Sequence, residues 1–378
     1  MDNKIKYDFL VFSNSKWGKI PNRDQHLAYH LAIMGYNVIF INEIPSLASK
    51  MRSIFRKEIQ NPFCESIPSN LKIIEPPTVP TYFRSSLCKN VDKILIQKWL
   101  NTLFKSIEPK KYAAVISVPI WFHLIGKKLN RFYAVIYDLY DSLEISARNK
   151  RALNYLERSE REGIKLSRFI TCSSPSLQEY INKKYKRDSA LIRNGAPVSG
   201  GINKLPDQNK KRIGLVANIV SDSVYDISLI KSIALSFPQC EIRIIGIIKH
   251  RYAKQLTFIN NIVLTGFCGA NVINTELVNL SAAIIPFQSN SITAKINPLK
   301  LYEYLSQGIP VVATDNFDYS DAYELIYTAK THQEFIIKLN LALMENNESL
   351  RNQRIEWSVN NSWRIRTEEF LNLLNISD

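Results

Sequence analysis

The stretch Ile296–Thr314, INPLKLYEYLSQGIPVVAT, decides the fold class. Asn297 is a good N-cap, Pro298 suits a first helical position, and the residues up to Gln307 favour helix. Gly308 fits the residue just past a helix end, and Pro310 stops the helix from continuing. The spacing predicts a short helix over Pro298–Gln307. Ile309–Thr314 is a short apolar run bounded by breakers, the pattern of a strand buried on both faces of a parallel sheet. Helix into buried strand is the repeating unit of α/β folds. On that helix Leu301, Tyr304 and Leu305 share a core-facing stripe, whereas Lys300, Glu303 and Ser306 fall along another side.

The alternation extends through the whole chain. Tyr7–Ser13, Asn37–Glu43, Tyr112–Val118, Phe132–Asp138 and Arg168–Ser174 read as strands, with helices over Asp24–Gly35, Val91–Phe104, Asn149–Lys165 and Ser174–Lys184. Gly, Pro, Asn and charge then accumulate between Asn194 and Lys210, a boundary signal. Beyond it the pattern restarts, with strands at Lys211–Asn218, Glu241–Ile247, Asn261–Gly266, Ser281–Phe287 and Ile309–Thr314 and a helix at Val224–Phe237. The expected architecture is α/β, with two doubly wound parallel-sheet, Rossmann-like domains facing a cleft. The first covers residues 1–195 and the second 196–360, followed by an amphipathic helix in 361–378. A chain of 378 residues suits two such domains. A dinucleotide fold of NAD type would need G-x-G-x-x-G after a strand, and the chain has no such run.

Composition narrows the class. With 46% hydrophobic and 22% charged residues, disorder is excluded as a global description. The longest apolar stretch, Tyr112–Gly126, is too short to span a bilayer and contains Pro119 and His123. The opening MDNKIKYDFLVFSNS lacks the apolar region of a secretory leader, so none is expected. Cys64, Cys88, Cys172, Cys240 and Cys268 are scattered without a C-x-x-C pair and read as thiols of a reducing cytoplasm. His26 and His30 lack the glutamate of H-E-x-x-H, and no metal site is expected.

Charge is distributed unevenly. Residues 1–195 hold 32 Lys+Arg against 17 Asp+Glu, a net of +15, while residues 196–378 hold 17 of each. Such one-sidedness points to an anionic partner for the first half: a membrane surface, a lipid diphosphate or nucleic acid. A solubilising bias without a partner is the plain alternative. Ser46–Ile59 interleaves Leu47, Met51, Ile54 and Phe55 with Lys50, Arg52, Arg56 and Lys57, which on a helix would make a basic amphipathic surface suited to a membrane interface or to packing on its own protein.

The lysine and glutamate at the helix start carry the chemistry. A helix N-terminus presents free N–H groups and partial positive charge, and Lys300 adds a cation suited to a diphosphate. Glu303 is placed to accept hydrogen bonds from sugar hydroxyls. The alternative is a surface i,i+3 ion pair worth a few tenths of a kcal/mol. A lysine in a first turn opposes the helix dipole, which favours the ligand reading.

NPLKLYEYLSQGIPVVAT resembles the donor-binding segment of GT-B glycosyltransferases, in the broad family-4 style and its bacterial polysaccharide branch. The resemblance implies Lys300 on the nucleotide-sugar diphosphate and Glu303 on the ribose, with Lys295, Asn297, Pro298, Leu299, Phe287, Gln288 and Ser289 around the donor. It further implies that the closing helix crosses back onto the first domain. NRDQHLA at Asn22–Ala28 is similar to the RPQHLA segment of teichuronic-acid-type enzymes, with Asp24 in place of proline. That likeness puts Arg23, Gln25 and His26 at the acceptor side, with Trp17 and Gly18 in the preceding loop offering a stacking face and close backbone approach. Asp24 reads otherwise as the helix cap. VIYDLYDSLE places Asp138 and Asp141 at and beyond a strand end. A glycosyl transfer needs a base for the acceptor hydroxyl, and the xanthan-type glucuronosyltransferases, which this region resembles loosely, draw it from the N-terminal domain. Asp138 is the first choice and Asp141, otherwise a cap, the second, with His26 a further candidate.

Two departures stand out. Where many retaining family-4 enzymes carry a glutamate eight residues before the matched one, this chain has Lys295, and Val216–Asp226 lacks their Arg/Lys pair. Whether transfer retains or inverts is therefore left open. Asn194–Gly195 matches the NG before the second domain and reads as a positive-φ turn. The expectation is a cytoplasmic, membrane-associated bacterial glycosyltransferase of surface polysaccharide assembly. Its donor is a UDP- or GDP-linked sugar and its acceptor a lipid-linked or oligosaccharide molecule, with no cofactor, no metal and no nucleic-acid partner. The alternatives are a nucleotide-sugar epimerase of the same fold, a basic scaffold, and a relative that has lost its chemistry.

Overall fold

The computed structural model describes residues 7–18, 21–47, 63, 66–80, 89–147, 149–197, 211–221, 223–319 and 322–375. The chain divides into two units, one of Met1–Ile192 with Glu369–Asp378 and the other of Arg193–Glu368.

The first unit is built on seven parallel strands: β1 (Asp8–Phe12), β2 (Val38–Ile41), β3 (Leu71–Ile74), β4 (Tyr112–Ile116), β5 (Ala134–Leu139), β6 (Phe169–Cys172) and β7 (Ala190–Leu191), in the order β3-β2-β1-β4-β5-β6-β7. Register aligns Leu10 with Ile39 and Ala114, and Val11 with Phe40 and Val115. Because side chains alternate across a strand, the first trio enters one core and the second enters the other. Both faces are thus covered, which is why these strands read as continuous apolar runs. The helices start where capping chemistry allows. Asn22 accepts from the Gln25 N–H to open Arg23–Ile33, and Ser174 accepts from Leu177, with Pro175 following, to open Pro175–Tyr185.

The second unit has six parallel strands: β8 (Arg212–Val216), β9 (Glu241–Ile245), β10 (Ile262–Gly266), β11 (Ala282–Ile285), β12 (Val311–Thr314) and β13 (Tyr327–Ala329), in the order β10-β9-β8-β11-β12-β13. Asp226 and Thr331 cap the helices Ile227–Ser236 and His332–Met344. Strand order reverses beside β1 in one sheet and beside β8 in the other. In doubly wound sheets ligands bind outside the carboxyl edge at such points.

Several expectations are corrected. The helix in the opening stretch runs over Leu299–Ser306 with Pro298 at the cap position, so Asn297 is not its cap. The Asn297 side chain instead accepts from the Asn194 N–H at 2.8 Å. Gly195 has no positive φ; a Cβ there would lie 2.6 Å from the Trp363 backbone nitrogen, so close approach is what requires glycine. The edge strands β3, β7 and β13 are short and were not read as strands. Most of the basic stretch Ser46–Ile59, together with Cys64 and Cys88, lies outside the described residues. Among the described residues, no helix is long and apolar enough to cross a membrane.

Candidate functional site

In the second unit the candidate residues lie on the loop leaving the carboxyl edge of β11 and on the helix Leu299–Ser306 that follows it, beside the loops leaving β8 and β12. Asn290 ties the β11 loop to the β8 loop by donating to the Ser223 carbonyl at 2.8 Å. Asn316, just after β12, donates to Asn290 O at 3.1 Å and Thr293 Oγ1 at 2.7 Å. Three loops are thereby held by uncharged amides. Phe287 turns inward, edge-on to Tyr225 at 5.3 Å and tilted against Phe317 at 5.2 Å. Gln288 is fixed through its backbone to Val224, Ser289 is exposed, and Lys295 ends a turn two residues before Asn297.

The helix Leu299–Ser306 then starts at this edge without a side-chain cap. The Leu301 N–H donates to the Pro298 carbonyl at 3.1 Å, and the N–H groups ahead of it, with the helix dipole, suit an anion. Lys300 Nζ lies 2.7 Å from both carboxylate oxygens of Glu303. The i,i+3 ion pair is therefore present, half-buried at the mouth of the site, and uses two of the three ammonium donors. Leu301, Tyr304 and Leu305 are fully buried. Tyr304 also accepts from the backbone N–H of Val216 at 2.8 Å, fastening the helix to the end of β8. Burial pushes its phenol well above the ordinary tyrosine value, so it stays neutral and holds that bond.

In the first unit the geometry reassigns the acceptor-side candidates. Asp138 is fully buried and takes a bidentate ion pair from Arg23, 2.8 and 2.9 Å, plus the Thr171 hydroxyl at 2.6 Å. With no exposed atom, it anchors Arg23 and is not a base for an incoming hydroxyl. Arg23 is committed to that anchor. Gln25 is buried and donates to Ser15 Oγ and Lys16 O, shaping the loop after β1. Trp17 is also buried, edge-on to Phe40 at 4.9 Å, and offers no sugar-stacking face. His26 sits buried against Phe63 at 5.4 Å. Gly18 has φ 87°, a turn that favours glycine.

Asp24, read as a cap, is something else, because Asn22 caps the helix. Its Oδ2 accepts from Ser13 at 2.7 Å, Ser117 at 3.0 Å and Tyr140 at 3.3 Å, joining the ends of β1, β4 and β5 at the switch point. Burial pushes its carboxyl up to about 6 against the Ser13 hydrogen bond. Asp141 caps nothing either, since Ser142 holds the cap position of the following short helix. Half-buried, its carboxyl is pushed up to about 7, first by burial and then by Asp24, with Arg23 opposing. Position in the sequence singled out Asp141; nothing in the sequence pointed to Asp24 or Tyr304, whose roles depend on tertiary direction.

No protein-family model matches the chain, and no curated protein matches it by sequence. Solved structures do. The sucrose-phosphate synthase of Thermosynechococcus elongatus is similar over 98% of each chain, with TM-score 0.72 and 10% identity. HepE of Anabaena, solved with UDP and glucose, covers 98% of this chain and 99% of its own at TM-score 0.67 and 14% identity. The lipopolysaccharide outer core galactosyltransferase WaaB covers 98% and 100% at TM-score 0.62 and 13% identity. The fold is thus GT-B: two parallel-sheet units of the kind these glycosyltransferases share.

Proposed function

We propose that the protein is a glycosyltransferase that moves a sugar from a UDP- or GDP-linked donor to a lipid-linked or oligosaccharide acceptor in bacterial surface polysaccharide assembly, working at the cytoplasmic face of the membrane. The observation that carries this reading is the uncapped start of the helix Leu299–Ser306 at the carboxyl edge beside β8, with Lys300 and Glu303 in its first turns. The GT-B fold supports it, as does HepE's complex with UDP and glucose.

In this reading the helix start and Lys300 receive the diphosphate, and Glu303, released from its lysine, accepts from the ribose hydroxyls. Asp141, near neutrality in the folded chain, takes the acceptor proton as the oxygen attacks the anomeric carbon. The bond to the diphosphate breaks and its charge falls on fixed donors, so the leaving group needs no metal. A single displacement of this kind inverts the anomeric centre. Asp24, held by three hydroxyls, keeps Asp141 from ionising too readily.

The test is nucleotide release from a panel of UDP- and GDP-sugars, with and without lipid-extract acceptors. Acceptor-dependent release is expected, with Asp141→Asn lowering the rate by about 100-fold or more. Conversion of a nucleotide sugar to its epimer without an acceptor and without net nucleotide release would instead favour the epimerase.

A further inference from the structure

The helix Lys89–Ser106, in the crossover between β3 and β4, carries an outer face that a solvated helix would not. Its inner stripe is ordinary: Asp92, Ile96, Leu100, Leu103 and Phe104 are buried. The opposite face of such a helix is normally polar. Here its first two turns expose Val91 at 47%, Ile94 at 63% and Leu95 at 38%. Spaced i, i+3 and i+4, these three lie side by side. Along the same face follow Lys98, Asn101 and Lys105, all exposed. Lys128 joins them from a neighbouring segment, its Nζ donating to Asn101 Oδ1 at 2.5 Å.

Charge around this face has one sign. The helix holds four lysines and a single acid, Asp92, which is fully buried. Residues 89–131 together hold nine Lys+Arg against two Asp+Glu. The face also has a defined place. A helix joining parallel strands runs back against them, so its first turns lie at the carboxyl edge of the sheet. Lys93 Nζ stands 3.3 Å from Nε2 of His123, in the helix Ile120–Ile125 that follows β4 directly, which fixes Val91–Leu95 at that edge.

We propose that this face docks the first unit on an anionic bilayer. Val91, Ile94 and Leu95 enter the headgroup boundary while Lys98, Lys105 and Lys128 meet lipid phosphate. Aliphatic residues bordered by lysine suit lipid. Protein interfaces by contrast are depleted in lysine and enriched in aromatic residues and arginine. The proposal rests on the glycosyltransferase reading only for its purpose, which is to bring a lipid-linked acceptor to the edge that carries Asp141. Vesicle binding itself needs no catalysis.

The test is co-sedimentation of the full chain with vesicles of phosphatidylcholine alone and of phosphatidylcholine mixed with phosphatidylglycerol. Binding to the mixed vesicles is expected, weakening as salt rises. Two variants probe the face separately: Val91→Ser/Ile94→Ser/Leu95→Ser and Lys98→Glu/Lys105→Glu. Each is expected to lower partitioning by about tenfold or more while circular dichroism stays unchanged. A wild type that ignores the anionic vesicles, or variants that bind as it does, would overturn the proposal. So would a soluble dimer that the serine substitutions dissociate, since a second copy would then own the face. Melting shifts with UDP on the same samples separate this from the donor site: wild type that shifts with UDP yet ignores vesicles contradicts the docking face alone.

Discussion

Three aspartates close in space, Asp24, Asp138 and Asp141, are given different work by their surroundings. Asp138 is enclosed with Arg23 and Thr171, so its charge is balanced where water cannot reach it. Removing one member of such a pair leaves an uncompensated buried charge, and Asp138→Ala is expected to lower stability by about 3–5 kcal/mol in urea unfolding. Asp141 behaves in the opposite way. Its folded carboxyl lies at about 7 and that of Asp24 at about 6, against an ordinary 3.8. A carboxyl raised on folding favours the folded state while protonated, so its contribution is present at acid pH and lost as pH climbs through the folded value. Stability is therefore expected to fall from about pH 4 to about pH 7, and Asp141→Asn to flatten that slope, in melting curves recorded across the range. These distinctions were not visible in sequence. Asp24, Asp138 and Asp141 all stood at helix starts or strand ends, and only side-chain direction tells an anchor from a poised acid.

At the scale of elements, local chemistry was more legible. Gly308 was expected just past the helix Leu299–Ser306, and it sits there at φ 70°, where a Cβ would come 2.5 Å from Arg351 Cγ. Gly308→Ala should cost about 1–2 kcal/mol from the left-handed backbone alone, and a Tm within error of wild type would contradict that account. The central strands were readable because burial on both faces leaves no polar alternation. The edge strands β3, β7 and β13 were not, since they are short and only partly buried and so carry no continuous apolar run. The start of that helix was placed one residue early because Asn297, a good cap by type, has its side chain taken by Asn194 and Tyr302. Tyr304 counted as core by periodicity and is core, yet its hydroxyl also fastens the helix to β8.

For the molecule as a whole, the two parallel-sheet units followed from alternation and length, and the solved GT-B structures share that fold, whereas the strand order that sets the switch points came only with the structure. Charge separates the halves chemically, with the entire excess of +15 on residues 1–195. In the proposed reaction the helix start at Lys300 receives a nucleotide diphosphate. The most direct measurement is a thermal-shift comparison of wild type and Lys300→Ala with UDP, GDP, CMP and their sugars. At ligand well above Kd, a selective rise in Tm is expected for UDP or GDP compounds, equivalent to about 2–3 kcal/mol, that Lys300→Ala largely loses. No shift with any nucleotide on folded protein, or an equal shift in the variant, would contradict it.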